Sequence, residues 1–192
     1  MRRLAVLTFV TLDGVMQAPG SPDEDPSGGF AQGGWAVPFW GGVMEQVQRE
    51  AMATPYDLLL GRKTYESFAG HWPQVQDDPV ADRLNAARKY VVSSGAPALT
   101  WTPSRLVTGE VPREIARLKD QDGPLLQVHG SARLIQTLLA HDLIDAFRLW
   151  HFPVLVGSGK RLFAGGYGPG RLRLKRSDQG SNGVLMTIYE RD

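Results

Sequence analysis

The sequence predicts a single three-layer α/β domain whose sheet is largely parallel, with an antiparallel edge at the C-terminus. Short apolar runs typical of buried strands alternate with segments of helical periodicity over most of the chain. Two segments of near-alternating apolar character, residues 171–177 and 183–191, close the chain and are typical of antiparallel strands. No repeat, low-complexity tract or linker divides the 192 residues, so one domain is expected over residues 1–192.

The predicted strands are apolar runs that stop at turn-forming residues. The first covers residues 3–10 and ends before an Asp-Gly pair, after which a glycine-rich loop extends to about Trp40. The remaining strands are predicted, in chain order, at residues 56–61, 89–94, 124–130, 143–157, 171–177 and 183–191.

The predicted helices rest on apolar spacing and on capping residues. Apolar residues at helical spacing predict a helix from about residue 41 to 53. Thr64 is available to cap a short helix that runs to Phe68, and Ser131 is available as the N-cap of a helix over residues 131–142. Further helices are predicted at residues 78–87, which open with an Asp-Pro pair, and near residues 112–119.

Composition limits the functional classes. The 21 Lys and Arg against 20 Asp and Glu leave a net charge of +1, which is too small for general nucleic-acid binding. The chain has no cysteine, which excludes thiol nucleophiles and thiolate zinc sites and fits a cytoplasmic location. The four histidines have no metal-ligand spacing, so no metal is expected. The uncharged stretch from Pro26 to Met44 is too rich in Gly and Pro for a membrane helix.

The segment "LLLGRKT" ends a strand in residues suited to phosphate. Gly61 lets the backbone approach a ligand, Arg62 and Lys63 supply cations, and Thr64 supplies a hydroxyl at a helix start. A solvated turn with a helix cap explains the pattern equally well. The residues alone therefore leave the phosphate site and the plain turn as open alternatives.

A second strand runs into a glycine and a helix start in "LLQVHGSARLIQTLL". Taken alone, an ordinary Gly-Ser turn is the favoured reading of Gly130 and Ser131. Because the carboxyl ends of parallel strands meet at one edge, two such helix starts suit a dinucleotide. "VVSS" places the hydroxyls of Ser93 and Ser94 at a third strand end.

The sequence carries none of the familiar nucleotide-binding signatures. No G-x-G-x-x-G follows the first strand, and "VGSGKRLF" lacks the first glycine and the final hydroxyl of a P-loop.

The rings of Trp35, Phe39 and Trp40 either line a pocket for a planar ligand or are buried in the core. The loop from Phe30 to Phe39 is expected to form part of a pocket and to close over it.

Taken in order, the segments "TFVTLDG", "LLLGRKTYE", "VHGSARLIQTLL" and "LIDAFRLWHFPVLVGSGKRLF" resemble the dihydrofolate reductase-like superfamily. Within it the chain is similar to stand-alone proteins like the C-terminal reductase domain of the bifunctional riboflavin-biosynthesis deaminase/reductase. The resemblance spans almost the whole chain. The zinc-deaminase segments H-x-E and P-C-x-x-C are missing, so the bifunctional form is excluded.

The resemblance implies NADPH as the hydride donor and assigns a part of the cofactor to each segment. The adenosine 2′-phosphate and pyrophosphate lie near Gly61, Arg62, Lys63 and Thr64. Ser93 and Ser94 lie toward the adenosine, while Gly130, Ser131 and Ala132 form the pyrophosphate loop. Thr11, Asp13 and Gly14 border the nicotinamide.

Hydride transfer also needs a proton source, because the cofactor supplies only the hydride. By the same resemblance Glu45 lies in the segment that carries the acidic residue of dihydrofolate reductases, and Glu45 and Asp13 are the candidate catalytic residues. The expected reaction is NADPH-dependent reduction of a small heterocyclic or carbonyl substrate, pterin- or pyrimidine-like. The alternatives are a non-catalytic nucleotide- or ligand-binding module, and an interaction protein whose apolar strand at residues 143–157 builds a homodimer.

Overall fold

The computed structural model of the protein describes residues 1–41, 45, 48–49 and 52–192. The strands are β1 (Leu4–Thr11), β2 (Tyr56–Gly61), β3 (Lys89–Val92), β4 (Ser104–Val107), β5 (Leu125–His129), β6 (Ala146–Phe152), β7 (Leu172–Gln179) and β8 (Leu185–Arg191). The helices described in full are α1 (Arg62–His71), α2 (Pro79–Ala86), α3 (Val111–Asp120) and α4 (Ala132–Ala140). Short 3-10 helices cover Ser27–Gly29, Val37–Phe39 and Trp72–Gln74.

The strands form one eight-stranded sheet in the order β4-β3-β2-β5-β1-β6-β8-β7. From β4 through β6 every neighbouring pair is parallel. The last two strands reverse direction, since β8 is antiparallel to β6 and β7 is antiparallel to β8. The predicted α/β fold, with a mostly parallel sheet and an antiparallel C-terminal edge, is confirmed.

Alternate side chains of each strand reach opposite faces of the sheet, and each face has its own cover. On one face, Val6 of β1 packs in a cluster with Ile115 of α3 and Ile135 of α4. On the other face, Leu7 packs with residues of the loop that follows β1, and α1 and α2 cover β2 and β3. Helices on both faces make the three layers.

Strand β6 is shorter than the sequence predicts. The predicted strand over residues 143–157 is confined to Ala146–Phe152, because Pro153 has no N–H to continue the ladder. β6 pairs with β1 and β8 of its own chain, and Trp150 and Phe152 are 0% and 1% exposed. That residues 143–157 build a homodimer stays a prediction.

The helix starts also depart from the predicted capping. Helix α1 begins at Arg62 with Gly61 at its N-cap, so Thr64 lies in the first turn and does not cap the helix. Ser131 occupies the N-cap position of α4, but it has φ 57° and its side chain makes no capping hydrogen bond. The Asp-Pro start is confirmed, because the Asp78 carboxylate accepts hydrogen bonds from the first turn of α2.

Two further differences concern a short strand that the sequence did not predict and a predicted helix that lies partly outside the described residues. Strand β4, only four residues long, was not predicted, since "SRLV" carries almost no periodic signal. The helix predicted at about 41–53 falls partly outside the described residues. Among those described there, Glu45, Gln48, Arg49 and Met52 are helical.

The aromatic loop after β1 packs on the sheet. Trp35 is 8% exposed, its Nε1 donates to the Gln17 carbonyl at 2.8 Å, and its ring lies 5.3 Å from that of Phe152. For Trp35, core burial is thus the reading that the structure supports. None of the helices in the described part of the chain is long and apolar enough to cross a membrane.

Candidate functional site

Two hydrogen bonds join the two predicted phosphate-binding turns. The backbone N–H of Gly61 donates to Ser131 Oγ at 2.9 Å, and the backbone N–H of Ser131 donates to Thr64 Oγ1 at 3.2 Å. β2 and β5 are adjacent parallel strands, so their carboxyl ends meet at the same edge. Gly130 has φ 51°, and a Cβ there would contact the Thr64 side chain at 3.7 Å. The structure therefore brings the two turns together.

The helix starts at this junction leave their first amide groups available. Neither α1 nor α4, which opens with half-buried Ala132, has a side-chain cap at its N-terminus. The side chain of Arg62 is 57% exposed and its Nε donates to Glu66 at 2.7 Å. Lys63 is exposed, and no hydrogen bond or ion pair engages its ammonium within the described residues. Free amides and cations together favour an anionic ligand.

Ser93 and Ser94 lie at the same sheet edge. Val92, the last residue of β3, pairs with Gly61 of β2, so the two serines follow directly beside the first turn. Ser93 is half-buried and its Oγ accepts from the Gly95 N–H at 3.1 Å, whereas Ser94 is exposed. All three predicted strand ends thus share one edge.

The turn after β1 is fastened by the Asp13 carboxylate. Thr11 Oγ1 donates to Asp13 at 2.5 Å and accepts from the Val15 N–H at 2.9 Å, and the Gly157 N–H donates to Asp13 at 2.8 Å. The Thr11 hydroxyl, followed by the backbone donors, lowers the pKa of Asp13. Gly14, with φ 82°, completes the turn. Asp13 is therefore ionised at neutral pH and ties this turn to the loop after β6.

A cavity of about 440 Å³ opens between these two loops and the start of α4. It is lined by Gln17, Ser27, Gly28, Phe30, Arg133, Ser158, Gly159 and Lys160. Arg133 is exposed, and no hydrogen bond or ion pair engages its guanidinium among the described residues. The cavity is within the size range of small-molecule sites, and it adjoins the Gly130–Ser131 turn through α4.

Gln17 holds the walls of this cavity together. It is 4% exposed, and its Nε2 donates to the carbonyls of Asp25 at 2.8 Å and Ser27 at 2.9 Å. Its Oε1 accepts from the Lys160 N–H at 2.9 Å, while Lys160 Nζ is ion-paired with Asp25 and donates to Ser27 Oγ at 2.7 Å. Sequence patterns single out neither Gln17 nor Lys160, because Gln17 belongs to no recognised motif and "VGSGK", which contains Lys160, resembles only an incomplete P-loop.

Glu45 is not joined to these residues by any contact in the described part of the chain. Its side chain is 52% exposed and lies 3.7 Å from Arg49 in an ion pair. Its assignment as a proton donor stays a prediction. Within the described residues, no group of three or more His, Asp or Glu side chains is arranged to hold a metal ion.

A mostly parallel eight-stranded sheet with helix starts and glycine turns along its carboxyl edge defines a three-layer α/β protein with its candidate ligand site at that edge. The chain belongs to the RibD C-terminal domain family, whose model matches residues 2–186. It is 25% identical over 196 residues to the uncharacterized protein YyaP of Bacillus subtilis (strain 168), covering 98% of this chain and 94% of that protein. It is 36% identical over 130 residues to the uncharacterized protein YwjB of the same organism, covering 67% and 70%.

Two solved structures share the fold. A protein from Shewanella sp. PV-4, provisionally assigned to riboflavin biosynthesis, matches with a TM-score of 0.66 and 20% identity over 99% of both chains. Dihydrofolate reductase from Enterococcus faecalis, solved with NADP(H) and RAB-propyl, matches with a TM-score of 0.61 and 14% identity, covering 99% of this chain and 96% of the enzyme. At these identities the likeness shows the fold alone.

Proposed function

We propose that the protein is an NADPH-dependent reductase that transfers a hydride to a small heterocyclic or carbonyl substrate of pterin- or pyrimidine-like size. The observation that carries the proposal is the hydrogen-bonded junction between the Gly61 and Ser131 turns. It places two uncapped helix starts side by side on the sheet edge, which suits the paired phosphates of a dinucleotide. The RibD C-terminal domain match over residues 2–186 supports the same reductase class.

The residues present fit this cofactor. Arg62 and Lys63, both exposed, are the proposed ligands of the adenosine 2′-phosphate. The amides at the starts of α1 and α4, with Thr64, Gly130 and Ser131, are the proposed pyrophosphate cradle, and Ser93 and Ser94 the adenosine contacts. The cavity of about 440 Å³ is the proposed place of the nicotinamide end. Thr11, Asp13 and Gly14 form the turn that is proposed to border the nicotinamide.

The bound cofactor would supply the hydride, and the chain would supply binding, orientation and the proton. Asp13 holds no proton to donate at neutral pH because its pKa is lowered, so its proposed role is to hold the turn beside the nicotinamide. Glu45 remains the proposed proton donor, and Glu45→Gln tests that role. A homodimer and a cytoplasmic location also stay predictions.

A second candidate is a nucleotide-binding module without chemistry. It is favoured by the same carboxylates, since Asp13 is fully occupied by hydrogen bonds and Glu45 is half exposed. Both candidates predict cofactor binding. Only the reductase consumes NADPH when pterins, pyrimidines or quinones are added.

The test is calorimetric titration of the protein with NADPH and, separately, with NADH. Replacing Arg62 and Lys63 together by Ala removes two charge-assisted contacts worth about 1.5 to 3 kcal/mol each. NADPH binding should weaken at least about 100-fold, while NADH binding changes little. The matched control replaces Arg171 and Arg173, at the start of the outermost strand β7, by Ala. Equal losses for both cofactors would refute the phosphate assignment.

A further inference from the structure

Polar side chains interrupt one apolar face of the sheet. It is the face that carries Leu7 and Phe9 of β1. In register, Leu7 pairs with His129 of β5 and Arg148 of β6, and Phe9 pairs with Trp150 of β6. Paired residues of neighbouring strands point to the same side, so these side chains share the face. They lie between its two apolar clusters, one around Trp150 and the other around β2.

Two polar groups on this face are buried without a partner. Tyr56 is 3% exposed and Trp150 is 0% exposed, and neither the Tyr56 hydroxyl nor Trp150 Nε1 has a hydrogen-bond partner among the described residues. His129 is 6% exposed, and only its Nε2 is engaged within the same residues. Buried polar groups are nearly always paired in native proteins, so two unpaired ones on one face point to a missing ligand.

A hydrogen-bond chain sets the imidazole proton of His129. Arg148 donates to Gln127 Oε1 at 3.2 Å, which directs the Gln127 amide nitrogen toward His129 Nε2 at 2.8 Å. Because that amide nitrogen is a donor, Nε2 accepts and the ring proton resides on Nδ1. Burial, with the nearby Arg148 charge, lowers the pKa of His129 to about 3, so the ring is neutral.

His129 lies where this face meets the carboxyl edge of the sheet, the proposed binding site of the cofactor (the cofactor edge). It is the last residue of β5 and directly precedes the Gly130–Ser131 turn. The rings of Phe68 and Tyr56 lie 6.0 Å and 6.2 Å from the imidazole and flank it. A planar molecule held here would therefore lie next to the proposed cofactor.

We propose that Tyr56, His129 and Trp150 bind the substrate of the proposed reductase, with the His129 Nδ1–H donating to a carbonyl oxygen of a planar heterocycle. Gln127 and Arg148 act as positioning residues that hold the donor proton on Nδ1. The assignment rests on the proposed function for the identity of the reaction.

The hydrogen-bonding character of these groups determines which functional groups of the substrate they can bind. An indole N–H only donates, the oriented imidazole presents a donor, and burial raises the pKa of Tyr56 so that its hydroxyl keeps its proton. Glu190, a carboxylate in register with this face, is ion-paired with Arg3 at 2.8 Å. The set therefore binds oxo groups and disfavours amino groups at the same ring positions.

A ligand must displace part of the present packing to reach these groups. Trp40 is the described side chain best placed to move, because it is 45% exposed and packs edge-on against Phe9 at 5.5 Å. Phe9 in turn packs against Trp150 at 5.6 Å. Binding is expected to change tryptophan fluorescence through Trp40, and a Trp40→Phe variant assigns the signal.

The first experiment compares two probes of the same shape, pteridine-2,4-dione and pteridine-2,4-diamine. Protein labelled with ¹⁵N-histidine should show His129 as the Nδ1–H tautomer by NMR. The dione should shift the Nδ1 resonance and bind at least tenfold more tightly than the diamine. An Nε2–H tautomer, no binding of the dione, or equal binding of the two probes would overturn the proposal.

Two variants separate ligand binding from a purely structural role. Tyr56→Phe removes only an unpartnered hydroxyl, so stability should stay level or rise while dione affinity falls about fivefold or more. Gln127→Glu keeps the size of the side chain but accepts from Nε2–H, so it should move the proton off Nδ1 and weaken the dione at least tenfold. Loss of stability without loss of dione affinity in both variants would show a structural role only.

NADPH calorimetry on the same samples separates this proposal from the proposed function. Wild-type protein that binds NADPH but not the dione would overturn the substrate assignment and leave the cofactor site. Wild-type protein that binds the dione but not NADPH would leave this face as a ligand site and overturn the reductase. Both variants should retain wild-type NADPH affinity, because neither changed residue belongs to the cofactor edge.

Discussion

Replacing Gly159 by Ala should destabilise the protein much more than replacing Gly157 by Ala. Both glycines lie in the loop after β6 and have positive φ, 123° and 79° respectively. A Cβ at Gly159 would lie 2.8 Å from Val15 Cγ1 and 2.9 Å from the Phe30 ring, whereas a Cβ at Gly157 meets nothing within 4 Å. Val15 and Phe30 are 0% and 6% exposed, so neither can move without disturbing the core.

The two substitutions share a backbone cost and differ in packing. An L-residue in the left-handed region costs about 1 to 2 kcal/mol, which is the cost expected at Gly157 and the least cost expected at Gly159, whose φ lies farther from that region. Forcing a methyl group into a packed core adds about 1 to 3 kcal/mol at Gly159 alone. Urea unfolding at an unchanged m value would measure the difference. Because Phe30 and Gly159 also line the cavity, only Gly159→Ala should weaken NADPH. Equal losses of stability would refute this account of the loop.

The other predictions concern a buried cation and the junction of the two turns. Lys89 is 0% exposed, and burial lowers its pKa from 10.5 to about 8. Between these values the unfolded chain holds the proton and the folded protein does not, so the Lys89 contribution raises stability as pH increases, by about 2 kcal/mol from pH 7 to pH 10. Lys89→Met should remove this rise in urea unfolding, and an unchanged rise would contradict it. Thr64→Val and Ser131→Ala should each cost about 1 kcal/mol, with a coupling energy of at least about 0.5 kcal/mol in a double-mutant cycle. Strict additivity would mean that the two hydrogen bonds act independently.

The sequence predicted the edge of the sheet better than it predicted the contacts there. Parallel strands must bring their carboxyl ends to one edge, so the meeting of Gly61, Ser93 and Gly130 followed from the strand order. The hydrogen bonds between Ser131 and the Gly61–Thr64 turn did not follow from the strand order. Ser131 has left-handed φ, which turns its hydroxyl away from its own helix and toward Gly61. No local pattern signals that conformation in a serine.

The polar face escaped prediction for a different reason. Tyr56, Gln127 and Arg148 lie in separate apolar runs, "YDLLLG", "LLQVHG" and "AFRLWHF", and periodicity correctly marks each run as a buried strand. A single polar residue in such a run does not change the prediction of a buried strand, so its own role is overlooked. The residues become a group only when register is known, since a shift of one residue would move each to the opposite face.

Strand β5 explains why a donor on the sheet face and a phosphate turn on the sheet edge can work together. His129 ends the strand and Gly130 begins the turn, so consecutive residues serve the proposed substrate and cofactor sites. Backbone rise between neighbouring strand residues is about 3.3 Å, and β5 is held on both sides by β2 and β1. A group held this way keeps a fixed distance from the cofactor. The exposed, ion-paired carboxylate of Glu45 has no such restraint among the described contacts. Fixed geometry at the reacting centre therefore favours His129 as the residue that orients the substrate.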